Sequence, residues 1–280
     1  MIKRLMACVF ITLLIGCSYS PEREDRGRYI ADHTHRYSTN QDIDSVRFLV
    51  LHYTALNDQR SLRALTGGKV SAHYLIPSQP KYKNQEPIIF QLVPESQRAW
   101  HAGKSEWNGY QNLNHGSIGI EIVNCGFKRQ FIKTEWCLYH PSQIDAVIRL
   151  AKDIIQRYQI KAVNIVGHSD IAPLRKQDPG PVFPWQLLYE QGIGAWPDDV
   201  TVNRHLAGRA PDMPATVASI QKVLSLYGYN IPQTGLLDNA TRQTIQAFQM
   251  HFRPSNISGM PDAETEAIAL ALLEKYQNVQ

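Results

Sequence analysis

Residues 46–53 (VRFLVLHY) constrain this chain more than any other segment. A continuous apolar run rich in β-branched and aromatic side chains suits a buried strand, and this one ends at His52 and Tyr53. Further strands are expected at 72–76, 88–93 and 117–124 (SIGIEIVN), and a short one at 163–166 runs into His168. Between them, 61–65 reads as a helical turn or more, stopped by Gly67 and Gly68. A longer helix starts at Pro141 and Ser142, with Ile144, Val147, Ile148, Ala151, Ile154, Ile155 and Tyr158 along one face at helical spacing. Strands alternating with covering helices indicate an α/β domain with a mixed central sheet, placed at 46–210.

The tail changes character. Segments 215–227, 239–252 and 263–276 read as three short helices separated by turns containing Gly or Pro. Ile220, Val223, Leu224, Ile245, Phe248, Ile268 and Leu272 suit a compact three-helix module over 211–280. A module this small has a limited core and is expected to lean on the larger domain. At about 150 residues per domain, 280 residues fit this two-part division.

With 43% hydrophobic and 19% charged residues, a wholly disordered chain is excluded. Lys+Arg 29 against Asp+Glu 25 gives +4, of which Lys3 and Arg4 contribute two. So weak and scattered an excess argues against nucleic acid as a partner, because a nucleic-acid surface needs clustered basic residues.

Lys3 and Arg4 precede an apolar stretch at 5–15. At about 1.5 Å per residue it spans roughly half a bilayer core, so it reads as an export signal rather than a permanent membrane span. Leu14-Ile15-Gly16-Cys17 resembles a bacterial lipobox. That resemblance implies a signal peptide at 1–16, a lipid-modified Cys17 and, with Ser18 following it, an outer-membrane anchor holding the folded domain in the periplasm. Residues 17–45 are then expected to be a polar tether, with His33 and His35 solvated rather than binding metal. Cys8 would leave with the signal, so Cys125 and Cys137 remain in an oxidising compartment, where they could pair or stay free.

The segment 166–185, VGHSDIAPLRKQDPGPVFPW, is the richest in chemistry. His52 and His168 with Asp178 would offer N, N and O ligands to Zn²⁺ and leave a fourth position open, as catalytic zinc requires. Spacing alone is not specific, since a His at a strand end is more often structural.

LHYTA at 51–55, SAHYL at 71–75, WHAG at 100–103, SIGIEI at 117–122 and the GHSDIAP…KQDPGPVFPW block occur in order. Together they resemble the zinc-dependent N-acetylmuramoyl-L-alanine amidases of type 2, which share the phage-lysozyme and peptidoglycan-recognition-protein fold. The tail, with Gly228-Tyr229, AFQ at 247–249, and Thr241 and Thr265 near helix starts, resembles a peptidoglycan-binding module. The resemblance implies one Zn²⁺ per chain on His52, His168 and Asp178, with Glu121 as general base and Lys176 facing the developing oxyanion. Tyr53, Thr54 and His101 are expected to line the substrate cleft. His73 and Asp170 are candidates to orient the ligands, His73 equally a core histidine. His115, His140, His205 and His251 are read as structural.

The implied activity is hydrolysis of the amide between the lactyl group of N-acetylmuramic acid and L-alanine, in peptidoglycan or muropeptides, by a monomer. Two other functions compete: a non-catalytic lipoprotein that binds peptidoglycan, and a zinc peptidase cutting within the stem peptide.

Overall fold

A computed structural model describes residues 22–39, 41–129 and 134–277. The export signal and Cys17 lie outside the described residues. The N-terminal part holds strands β1 (Arg23–Asp25), β2 (Ile30–Asp32) and β3 (Phe48–Tyr53), helix α1 (Asp58–Thr66), and strands β4 (Tyr74–Ile76), β5 (Tyr82–Lys83) and β6 (Glu86–Gln91). A small hairpin follows, β7 (Glu106–Trp107) with β8 (Tyr110–Gln111), then β9 (Ser117–Ile122) and a second hairpin, β10 (Phe127–Arg129) with β11 (Thr134–Trp136). Helix α2 (Pro141–Tyr158), strand β12 (Ile165–Gly167) and helices α3 (His168–Ile171), α4 (Trp185–Glu190) and α5 (Asp199–Leu206) complete the larger domain. The tail is α6 (Val217–Tyr227), α7 (Asn239–Phe252) and α8 (Ala263–Gln277), close to the expected three helices. None of the described helices is long and apolar enough to cross a membrane.

The main sheet runs in the order β1-β2-β6-β4-β9-β3-β12, with β5 paired to β6. It is mixed: β3 lies parallel between β9 and β12, whereas β4 pairs with β6 antiparallel. Side chains alternate along a strand, so in-register β3 and β9 each divide into two faces. Leu49 and Leu51 join Ile118, Ile120 and Ile122 beneath α2, against Ile144, Val147, Leu150 and Ile154. The opposite face carries Phe48, Val50 and His52 from β3, opposite Ser117, Gly119 and Glu121 from β9. Helix α2 begins where the sequence places it, because Pro141 follows a cap in which the His140 ring accepts from the Ser142 N–H and the Gln143 side chain accepts from the His140 N–H.

The tether expectation for 17–45 needs correction. β2 pairs parallel with β6, and Tyr29, Ile30 and Ala31 are buried. Asp32 is held by Arg23 (2.9 Å) and Thr34 (2.7 Å), so the folded domain begins by Arg23 rather than at residue 46. His33 is half-buried and lies 3.5 Å from Glu24, whereas His35 is exposed, as expected, with its ring edge-on to Phe90.

The tail leans on the larger domain so closely that the two share one core. Phe48, Val50, Trp107, Leu113 and Val166 form a single apolar cluster with Tyr227, Tyr229, Phe248 and Phe252. Trp107 packs edge-on against Tyr227 and Tyr229, and its Nε1–H donates to the Val163 carbonyl (3.0 Å). Each such aromatic contributes about 1.5–3 kcal/mol by leaving water.

Candidate metal centre

Three strand and loop ends converge on one point. His52 is the penultimate residue of β3, and β12 pairs beside β3 with Gly167 opposite Leu51, so His168 emerges next to His52. The chain then returns through a loop whose Asp178 carbonyl accepts from Ser169 N–H (2.8 Å). Tyr139 Oη donates to the Pro179 carbonyl (2.8 Å), and Gly180, at φ +81°, lies so close to the Trp136 ring that a Cβ there would come within 2.8 Å of it. The β10–β11 hairpin, closed at its base by a disulfide between Cys125 and Cys137, thereby packs against the Asp178 loop. The two cysteines left open by the sequence are therefore paired.

His52 Nδ1 and His168 Nδ1 are 2.9 Å apart, and Asp178 Oδ2 lies 3.1 Å from the first and 3.0 Å from the second. All three residues are buried. The edges of a tetrahedron with bonds near 2.0 Å are about 3.3 Å, so the three atoms fit three corners of such a site. Electrostatics agree. Burial, reinforced by repulsion from His168, pulls His52 down to about 4, leaving a neutral imidazole at neutral pH. Burial alone would raise the Asp178 carboxyl, but the adjacent His168 and His52 outweigh it and hold Asp178 well below the usual carboxylate range. Neutral imidazole and carboxylate are the forms that bind a divalent cation.

The site opens into a cleft of about 210 Å³ lined by Tyr53, Thr54, Trp100, Glu121, Lys176 and Asp178 among others. Glu121 Oε2 is buried with no hydrogen-bond partner among the described residues. Burial, with the nearby Asp178 charge adding and Lys176 opposing, pushes Glu121 up to about 8. A larger cavity of about 690 Å³, lined by Lys104, Arg175 and Asn230, lies at the seam with the tail and, among the described residues, holds no metal-ligating cluster.

The structure thus brings together His52, His168, Asp178, Glu121, Lys176, Tyr53, Thr54 and His101. His101 also lines the cleft, although it is only 7% exposed; its Nδ1 is 3.0 Å from His52 Nε2 and its Nε2 is 3.2 Å from Ser117 Oγ. Among the described residues, the Asp170 side chain hydrogen-bonds to neither ligand imidazole. It accepts from Gly167 N–H (2.7 Å) and Tyr229 Oη (2.6 Å) and meets His251 Nδ1 (2.7 Å), tying the tail to the larger domain. His73 is a core histidine, accepting from Gly119 N–H and donating to the Gln97 carbonyl. Trp100 and Ser117 were not singled out from sequence, although both lie inside the quoted motifs WHAG and SIGIEI.

A family model described as N-acetylmuramoyl-L-alanine amidase matches residues 42–181, and one for a peptidoglycan binding domain matches 214–268. The chain is 49% identical over 264 residues to N-acetylmuramoyl-L-alanine amidase AmiD of Escherichia coli K12, covering 94% of this chain and 95% of that protein. It resembles the structure of E. coli AmiD in complex with the substrate anhydro-N-acetylmuramic acid-L-Ala-D-gamma-Glu-L-Lys, with a TM-score of 0.81, 50% identity, and coverage of 91% of this chain and 98% of that one. AmpDh3 of Pseudomonas aeruginosa matches with a TM-score of 0.75 and 48% identity, covering 87% of this chain and 97% of that one.

Proposed function

Because the chain belongs to the N-acetylmuramoyl-L-alanine amidase family, we propose that it hydrolyses the amide between the muramyl lactyl group and L-alanine, in peptidoglycan and in muropeptides including the anhydro form, using one Zn²⁺ per chain. The observation that carries this reading is the meeting of three buried ligand atoms with a partnerless carboxylate oxygen, Glu121 Oε2, in one cleft.

His52, His168 and Asp178 would hold the metal, which when bound supplies Lewis-acid polarisation of the scissile carbonyl and a lowered pKa for attacking water. Glu121, whose proton affinity burial raises, takes the proton of the attacking water and passes it to the departing amine of L-alanine. Lys176, at the cleft wall, faces the oxygen on which negative charge grows and stabilises it. Tyr53, Thr54 and Trp100 bound the space in which the lactyl and alanyl groups lie. The tail, sharing a core with this domain, adds contact with the polymer. The basic start, the short apolar run and Cys17 in LIGC support a lipid anchor in the outer membrane with the cleft on the periplasmic side. Nothing in this mechanism needs a second copy of the chain, consistent with a monomer.

Mass spectrometry of purified murein after digestion tests the reading. Released stem peptides with a free L-alanine amine are expected. Shortened stems still joined to muramic acid would make the protein a peptidase, and an unchanged polymer that binds the protein would make it a receptor.

A further inference from the structure

Both ligand imidazoles present Nδ1 to the metal point, so each must keep its single proton on Nε2. For His168 the reason is local: Nε2 lies 3.1 Å from the Ala102 carbonyl, which can only accept. For His52 no carbonyl among the described residues bonds Nε2, which instead faces another histidine, His101, at 3.0 Å. Two imidazoles in contact can share a proton either way, so something must set the direction.

The direction comes from the backbone. Ser117 Oγ donates to the Leu113 carbonyl at 2.6 Å, which commits the hydroxyl proton to an oxygen that has none to give. Towards His101 Nε2, 3.2 Å away, Ser117 Oγ is therefore an acceptor, and His101 carries its proton on Nε2. His101 Nδ1 is then bare and accepts from His52 Nε2–H, which leaves His52 Nδ1 as a free lone pair beside Asp178 Oδ2. Ser117, His101 and His52 are all buried, so water does not compete for these bonds.

The surroundings hold His101 in this line. Asn114 Oδ1 accepts from the backbone N–H groups of His101 (3.1 Å) and Ala102 (2.8 Å). The ring lies directly over Gly119 of β9, where a Cβ would come within 2.5 Å of it. This explains the small residues of that strand face: Ser117 ends the relay, and Gly119 leaves room for the ring.

We propose that His101, oriented by Ser117, is a positioning residue that fixes the tautomer of His52 and so prepares its Nδ1 for the metal. Adjacent residues in the chain, His101 and Ala102, thus set the two ligand imidazoles by different means, one through a side chain open to mutation and the other through a carbonyl. The proposal rests on the metal-site reading above, and it gives His101, which also lines the cleft, a role in supporting the metal site.

Zn²⁺ affinity, measured by competition with a chromophoric chelator, separates the possibilities. His101→Leu and Ser117→Ala should weaken Zn²⁺ binding about 10–100-fold. His101→Asn, whose Oδ1 replaces the Nδ1 acceptor, should stay within about threefold of the wild type under the same principle. Wild-type affinity in His101→Leu would overturn the proposal, as would His101→Asn binding no better than His101→Leu, because shape rather than an acceptor would then matter. Should Ser117→Ala or His101→Leu fail to fold, nitrogen NMR of Zn²⁺-loaded wild-type protein decides. His101 protonated on Nε2 and bare at Nδ1 supports the relay, and the reverse tautomer overturns it. Failure of the metal-site reading is distinguishable, because then the wild type itself binds no stoichiometric Zn²⁺.

Discussion

His52 and Glu121 occupy the same rung of two neighbouring parallel strands, β3 and β9. Parallel neighbours in register point their side chains to the same face about 4.8 Å apart at the backbone. A metal ligand and a carboxylate are thus set side by side by the sheet itself. The division of labour is testable: Glu121→Gln should retain near-stoichiometric metal while losing about 10²–10⁴ in rate, because the amide can hold water but cannot accept its proton. Asp178→Asn, in contrast, should lose the metal together with activity. Metal analysis alongside the rate on one soluble muropeptide checks both, and loss of metal in Glu121→Gln would make Glu121 a ligand or a folding residue.

Acid stability should report the buried histidines. Burial lowers His73 from its ordinary 6.5 to about 4 in the folded state. Between those values the unfolded chain binds a proton that the folded chain refuses, so stability is full above about pH 6.5 and falls as pH drops towards 4. One such group changes stability by about 1.4 kcal/mol per pH unit within the window. Urea unfolding at several pH values should therefore show a shallower dependence, by one proton, in His73→Asn than in the wild type. Identical slopes would show that His73 does not carry this effect.

The disulfide closes the hairpin that leans on the Asp178 loop. With a sequence separation of 12 it should contribute about 3 kcal/mol through the unfolded chain. Gly126, beside Cys125, has φ +70° and lies against the Tyr53 ring, where a Cβ would come within 2.9 Å. Cys125→Ser with Cys137→Ser should therefore lower the melting temperature and raise KM, since Tyr53 loses the wall behind it. Unchanged KM with lower stability would restrict the bridge to a role in folding.

Tyr229→Phe tests the seam between the domains. Removing the hydroxyl takes one donor from the buried carboxylate of Asp170, which costs about 1–3 kcal/mol. Because the apolar cluster is continuous across the seam, calorimetry should show one transition shifted downward. Two separated transitions would mean that the tail unfolds independently.

The legible parts of this protein are those written in contiguous residues. SIGIEI alternates three isoleucines with Ser117, Gly119 and Glu121, and the structure buries the isoleucines under α2 while turning the others towards the metal point. The long helix was equally plain, whereas His52 and His168, 116 positions apart, were legible as a ligand pair only through the motifs that carry the family resemblance. What stayed hidden depends on distant partners. β1 and β2 have three residues each, too few for a periodic pattern, and become strands by pairing with each other and along β6. Asp170 meets His251 across 81 positions of sequence, and His101 takes its orientation from Ser117, 16 positions away. Such contacts depend on the folded path, which local composition does not record.

If Cys17 carries a lipid, the early start of the sheet changes the mechanics of its anchoring. A chain spans at most about 3.6 Å per residue. A free segment from residue 17 to 45 would let the cleft sample a shell roughly 100 Å deep. With β1 locked into the sheet from Arg23, the stretch from Cys17 can extend only about 20 Å. A lipid on Cys17 would then act as a short mooring rather than a long line, confining the enzyme to polymer and fragments that come within about one domain diameter of the bilayer surface.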